Sequence, residues 1–210
     1  MAIGRPGKLQ SAAEAAAAAM ALGLRLGARI ELRVGGAGDS GTALHLGRRS
    51  DLSRAVKELE RLDASRGSGL EALLGEPGVI SSLRTGSGRG AGRILLFGDL
   101  LDVDPRQVMA LGEGRRHVHL GQVFAPEEWD PGADLSPRSR GHRVATGSLW
   151  MDPESPSAAR HADASDIAGY LARLEAFVEG WSRLARDHRM SHAVWRSDEP
   201  FEDHLPALLR

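Results

Sequence analysis

A continuous apolar run, RILLF at residues 93–97, constrains the fold of this chain more than any other stretch. Such a run is typical of a parallel strand that is covered by helices on both faces. Asp99 and Asp102 follow at its carboxyl end. Ligands of open α/β sheets bind beyond the carboxyl ends of the strands, so the run predicts a buried strand that delivers Asp99 to a ligand-facing edge.

The same acidic residues have a simpler interpretation. Aspartate is common in turns and as a helix cap, and the segment DPRQVMALGE at 104–113 is typical of a helix with proline in its first turn. Asp99, Asp102 or Asp104 would then only turn the chain and cap that helix.

Helical and strand patterns alternate along the rest of the chain. Helices are predicted at 9–26, 50–64, 104–113 and 163–188, and strands at 28–34, 42–47, 93–97, 116–124, 148–151 and 191–196. The first two of these strands are expected to form a loose hairpin. Alternation of this kind predicts one α/β domain over residues 1–210, with a mostly parallel sheet and helices on both faces.

Composition excludes several classes of protein. The chain has 28 acidic and 27 basic residues and a formal net charge of -1, so it lacks the basic field that holds nucleic acid. The absence of cysteine excludes disulfides, thiolate metal sites and a cysteine nucleophile. No apolar run approaches the roughly 20 residues of a membrane span, and no secretory signal is recognisable, so a cytoplasmic protein is predicted.

Two motifs suggest an enzyme, which is the alternative function. GAGDSG at 36–41 fits the Gly-x-Gly-x-x-Gly pattern of nucleotide-binding loops, but the segment after it alternates like a strand, which favours a hairpin connection. The histidine pairs at 117/119 and 188/192 have spacings that can hold zinc, but no third ligand is marked. A hydrolase or nucleotide-binding enzyme would have to use these loops or histidines.

Five segments, taken in order and spacing, carry a resemblance. They are GRPGKLQSAAEAAAAAMALGLRLGARIEL at 4–32, RGSGLEALL at 66–74, ILLFGDLLD at 94–102, APEEWDPG at 125–132 and HAVWRSDEPFEDHLPALLR at 192–210. Together they resemble the bacterial family called domain of unknown function fifty-eight, whose fold is von Willebrand factor A-like. The resemblance runs from about Gly4 to Arg210.

The resemblance implies a degenerate metal site. In von Willebrand factor A domains, the metal-ion-dependent adhesion site holds a divalent cation with an Asp-x-Ser-x-Ser motif after the first strand, a threonine from a second loop and an aspartate from a third. Asp99 matches the third-loop aspartate, and Ser68 stands where the family usually has threonine. The segment MAIGRPGK at 1–8 is similar to the text that directly follows the Asp-x-Ser-x-Ser motif.

The first, central strand and its loop are therefore expected to be absent from this chain. A start codon placed too late, a shortened chain and a true loss of the site all remain open. Magnesium needs about six oxygen ligands, so Ser68 and Asp99 are expected to bind it weakly or not at all unless the motif is restored. The two strands beside the missing one are expected to close up or to accept another strand.

The resemblance also implies a function. Family members are commonly encoded beside MoxR-type AAA+ ATPases, which implies a non-enzymatic adaptor in chaperone-like maturation of other proteins. Trp129, in the acidic segment PEEWDPG at 126–132, is the candidate for contact with a protein partner.

Overall fold

The computed structural model describes residues 7–34, 43–62, 69–75, 79, 92–113, 116–131, 148–152, 155–162 and 164–209. Seven helices in this part of the chain are α1 (Lys8–Arg25), α2 (Leu52–Glu60), α3 (Gly69–Gly75), α4 (Pro105–Leu111), α5 (Pro126–Trp129), α6 (Ala164–Asp187) and α7 (Leu205–Leu208). The strands are β1 (Ile30–Leu32), β2 (Leu44–Leu46), β3 (Arg93–Gly98), β4 (His117–Phe124), β5 (Ser148–Asp152), β6 (Ser155–Ala162) and β7 (Ser191–Arg196). Short 3-10 turns lie at Arg49–Asp51 and Phe201–Asp203.

A parallel sheet of three strands, in the order β3-β4-β7, lies at the centre. His119 of β4 pairs with Leu95 on one side and with Ser191 on the other. Gly121 of β4 has no room for a side chain, because an added Cβ there would lie 2.7 Å from a ring atom of Phe97 and 2.9 Å from one of Trp195. The predicted α/β fold with a parallel sheet is confirmed at this level.

Helices cover both faces of this sheet. On one face, α3, α4 and α6 contribute to a buried apolar cluster made of Leu74, Leu96, Leu100, Val103, Val108, Leu111, Val118, Leu120 and Trp181. On the other face, α1 and α7 pack through Ala12, Ala15, Val123, Ala193, Trp195 and Leu208. The small alanines of α1 allow its backbone to approach the sheet closely, and burial of the apolar surface stabilises both layers.

Two antiparallel pairs of strands lie outside the parallel sheet. β1 pairs with β2, as predicted, and packs on α1 and α2 through a third cluster made of Met20, Leu24, Leu44, Leu46, Ala55 and Leu59. β5 pairs with β6. The strand β6 was not expected, because its sequence SPSAARHA lacks branched or aromatic residues.

Strands β1 and β3 do not pair with each other in the described part of the chain. There, β1 pairs only with β2, and β3 pairs only with β4. Helix α1 contacts both β1 and β3, so one helix supports two separate sheets. Ile94, Leu95 and Phe97 of β3 are only half-buried, whereas β4 is buried along nearly its whole length.

Local signals place several element ends. The side chain of Asp104 accepts a hydrogen bond from the backbone N–H of Arg106 at 2.8 Å, so the capping interpretation is confirmed for this aspartate. Gly27, with φ of 77°, follows the end of α1 in the left-handed conformation that glycine favours. Among the described helices, none has the length and apolar character needed to cross a membrane.

Candidate interaction site at the carboxyl edge of the sheet

The carboxyl ends of the three parallel strands meet at one edge of the sheet. The loops that leave them are residues 99–104 after β3, 125–131 after β4 and 197–200 after β7, and together we call them the carboxyl rim. The backbone N–H of Ser197 donates to the carbonyl of Phe124 at 2.8 Å, which joins two of the loops. Asp99 is the first residue of the rim.

The turn at Asp99 is held from several sides. Its Oδ1 accepts a hydrogen bond from the N–H of Leu101 at 3.3 Å, and its carbonyl accepts one from Nε2 of Gln122 at 2.9 Å. Leu100 lies between them with φ of 61°, a left-handed conformation that costs a non-glycine residue roughly 1 kcal/mol. Leu100 is buried, and this burial offsets the backbone cost.

The ammonium group of Lys8 bridges two loops of the rim. Lys8 Nζ lies 3.0 Å from Oδ2 of Asp99 and 2.7 Å from Oε1 of Glu128. The other oxygen of Glu128 accepts from the N–H of Ala125 at 2.7 Å. Partial burial opposes the charge of Lys8, but the hydrogen bond from Glu128 and the charges of both carboxylates prevail and raise the pKa of Lys8.

Sequence reasoning missed Lys8 and Glu128 as members of this site. Lys8 is 91 residues from Asp99 and 120 residues from Glu128 along the chain, so no sequence spacing could have predicted these contacts. The one available signal for Glu128 was its place in the acidic first turn of PEEW, and this turn predicted only a helix start.

A partly buried chain of polar groups runs from the Asp99 turn into the sheet. Gln122 uses its amide nitrogen on Asp99, so its oxygen accepts from Nε2–H of His192 at 3.0 Å. That tautomer leaves Nδ1 of His192 to accept from the hydroxyl of Ser182 at 3.0 Å. Burial lowers the pKa of His192 to about 4, so the ring is neutral at pH 7.

The histidine pairs do not form zinc sites in the described part of the chain. Both ring nitrogens of His192 have partners, and His188 is exposed. His119 is buried and donates from Nδ1 to the carbonyl of Leu208, while His117 is exposed. Burial lowers the pKa of His119. No group of three side chains suited to a metal occurs among the described residues.

The predicted magnesium ligands are only partly described. Ser68 and the whole glycine motif at 36–41 lie outside the described residues. Leu70, in the first turn of α3, approaches the end of β3, since its Cδ2 lies 3.7 Å from where a Cβ of Gly98 would stand. The two carboxylate oxygens of Asp99 accept from the ammonium group of Lys8 and from the backbone N–H of Leu101.

Two exposed apolar side chains flank the ion pairs. Trp129 is 41% exposed and Leu101 is 51% exposed. The ring of Trp129 packs on the buried ring of Phe124, with centroids 5.7 Å apart. Trp129, the predicted contact residue, is therefore a fixed aromatic side chain on the rim.

The fold and the rim define an α/β protein with a three-stranded parallel sheet and a polar carboxyl edge. No family model, curated protein or solved structure matches the chain.

Proposed function

We propose that this chain is a non-enzymatic protein-interaction module that binds its partner through the carboxyl rim. The observation that carries the proposal is the pairing of Lys8 with Asp99 and Glu128 directly beside exposed Trp129 and Leu101. Aromatic side chains such as tryptophan are enriched at the centre of protein interfaces, and charged groups usually lie at the polar periphery of such interfaces. A cytoplasmic location is part of the proposal.

We further propose that the fold is von Willebrand factor A-like, with no strand between β1 and β3 among the described residues. The support is the division into two sheets, β1–β2 and β3-β4-β7. Among the described residues, β1 and β3 each lack a second strand partner, and helix α1 contacts both of them. Attaching a strand and loop with the Asp-x-Ser-x-Ser motif before Met1 would then join β1 and β3. Hydrogen exchange should become slower at both strands, and unchanged exchange would contradict this fold.

The same proposal makes the adhesion site degenerate. Lys8 supplies positive charge to Asp99 at 3.0 Å, which disfavours a second cation there. Calorimetric titration with magnesium chloride should show weak binding or none. Micromolar affinity in this chain would show that Ser68, Asp99 or other residues complete a cation site.

The partner that we propose is a MoxR-type AAA+ ATPase, and this step rests on the resemblance alone. The immobilised chain should capture the purified ATPase, and the Asp99→Ala variant should not. Asp51→Ala is the matched control, because Asp51 lies outside the rim, beside β2, and accepts from the backbone N–H groups of Gly47 and Arg48. Capture that is equal for the wild type and for both variants would remove the rim from the interaction.

A hydrolase remains the alternative, and one observation favours it. The Ser182 hydroxyl donates to His192, and His192 donates to the side-chain oxygen of Gln122. A nucleophile, a base and an orienting group are hydrogen-bonded in this order in hydrolases. However, Ser182 lies inside helix α6, and a histidine with a pKa of about 4 is a weak base at pH 7. Ester hydrolysis that disappears in Ser182→Ala would favour the enzyme.

A further inference from the structure

We infer that a pocket at the end of α1 binds a small monocarboxylate that carries a short branched apolar group. The pocket lies between the last turn of α1 and the beginning of α2, and the described residues that line it are Ala21, Leu24, Arg25, Arg49 and Leu52. Lys8 begins the same helix, and at 1.5 Å per residue it stands about 25 Å from Arg25 along the helix axis. The pocket is therefore separate from the carboxyl rim and does not depend on the proposed function.

The apolar wall of the pocket belongs to a packed core. Leu24 is buried in the third apolar cluster, and Leu52 packs against the same cluster. The pocket has a volume of about 210 Å³. Because an engineered apolar cavity of about 150 Å³ in another protein binds benzene, this space suits a ligand of about six to ten non-hydrogen atoms.

Two arginine side chains stand beside the apolar wall. Arg25 lies in the last turn of α1, Arg49 begins the 3-10 turn before α2, and both are exposed. Within the described part of the chain, neither of them forms an ion pair. The nearby carboxylate of Asp51 accepts instead from the backbone N–H groups of Gly47 and Arg48. The two guanidinium groups are therefore available to a ligand.

The combination of an apolar wall and two arginines selects the chemistry of the ligand. The planar group of an arginine can bind a carboxylate with two hydrogen bonds, and Arg25 and Arg49 supply two such groups. The apolar part of the ligand then packs against Leu24 and Leu52. Small-molecule sites commonly have this composition, in which apolar side chains line the space and a few polar groups orient the ligand. A nucleotide is too large and too polar for this pocket.

The test uses isocaproate, a branched monocarboxylate of suitable size, and the full chain labelled with nitrogen-15. The titration runs in sodium chloride at about 50 mM, where attraction between charges is only partly screened. Two-dimensional NMR should show saturable shifts of backbone amides at residues 21–26 and 49–53, with a dissociation constant of about 1 mM or tighter.

Two further probes separate the charge from the apolar group. Isohexanol has the same branched chain without the charge, and acetate has the charge without the chain. Each should bind at least about tenfold more weakly than isocaproate, because each retains only one of the two kinds of contact.

Variants locate the site. Arg25→Gln and Arg49→Gln should each weaken isocaproate binding by about fivefold or more, and Ala21→Leu should weaken it by filling the pocket. Arg29→Gln is the control, because Arg29 is equally exposed but lies after α1 and outside the lining of the pocket. The amide spectrum of each variant shows directly that its fold is retained.

Several outcomes would overturn the inference. They are equal binding of isohexanol, shifts confined to residues away from the pocket, no shift at about 10 mM isocaproate, and equal affinity of the wild type and Arg49→Gln. N-acetylleucine imitates the carboxyl terminus of a protein chain and should bind more weakly than isocaproate, because its amide is polar and adds bulk. Tighter binding of N-acetylleucine would overturn the assignment of a free carboxylate in favour of a protein terminus.

Discussion

Lys8 and Asp99 form an ion pair, with Nζ 3.0 Å from Oδ2, that ties the first residue of α1 to the carboxyl end of β3. The same helix contacts β1 and also the strands β3 and β4 of the parallel sheet. The ion pair therefore fixes the beginning of the helix that holds two sheets together. It also places a positive charge at the position where the resemblance implies a metal ion.

Replacing Lys8 with methionine should destabilise the protein modestly. The side chains of Lys8, Asp99 and Glu128 are about one-third exposed, so solvent screening limits the loss to about 1 kcal/mol. Urea unfolding followed by circular dichroism would measure it. Lys57→Met on the exposed face of α2 is the control and should change the free energy of unfolding by less than about 0.5 kcal/mol. An equal effect of both changes would contradict a specific role for the ion pair.

Stability should fall as the pH is lowered from about 6.5 to about 4. Burial lowers the pKa of His192 from 6.5 to about 4, so in this window the unfolded chain binds a proton that the folded chain does not. The resulting loss is at most roughly 3 kcal/mol, and His119, whose pKa is lowered too, acts in the same direction. Urea unfolding at several pH values would measure the slope.

His192→Gln should make that pH dependence shallower, and His188→Gln, at an exposed position, is the control variant. A slope that is the same in the wild type and in both variants would mean that His192 does not titrate differently on unfolding.

Gln122→Met should cost about 1–2 kcal/mol, because it leaves the carbonyl of Asp99 and Nε2–H of His192 without their partner at a partly buried site. Gln107→Met is a matched control. The side-chain oxygen of Gln107 is buried with no partner among the described residues, so its removal should cost little. Thermal unfolding of the two variants would decide, and a larger loss at Gln107 would contradict the hydrogen-bond assignment.

Gly121→Ala should be strongly destabilising, by about 2 kcal/mol or more, since its Cβ would lie 2.7 Å from Phe97 and 2.9 Å from Trp195. Gly180→Ala in α6 provides the opposite case. Nothing lies within 4 Å of a Cβ at Gly180, and alanine favours a helix interior by up to about 1 kcal/mol. Urea unfolding should therefore show opposite signs for the two changes, and equal signs would contradict the packing around β4.

The sequence by itself determined the features that depend on local chemistry. The apolar run at 93–97 predicted β3 because a strand covered on both faces needs no polar side, and the cap of α4 followed from Asp104 before proline. The position of Asp99 directly after β3 followed from the same run. That residues 1–210 form one domain, and that Ser68 joins Asp99, stay predictions.

Only the tertiary structure decided which groups meet. It brought Lys8 to Asp99 and to Glu128, and His192 to Gln122, across 70 or more residues of chain. It also left β1 and β3 unpaired with each other and added β6. The physical reason is that a sequence shows which side chains can form an ion pair or a hydrogen bond, whereas the choice among many candidates depends on how helices and strands pack.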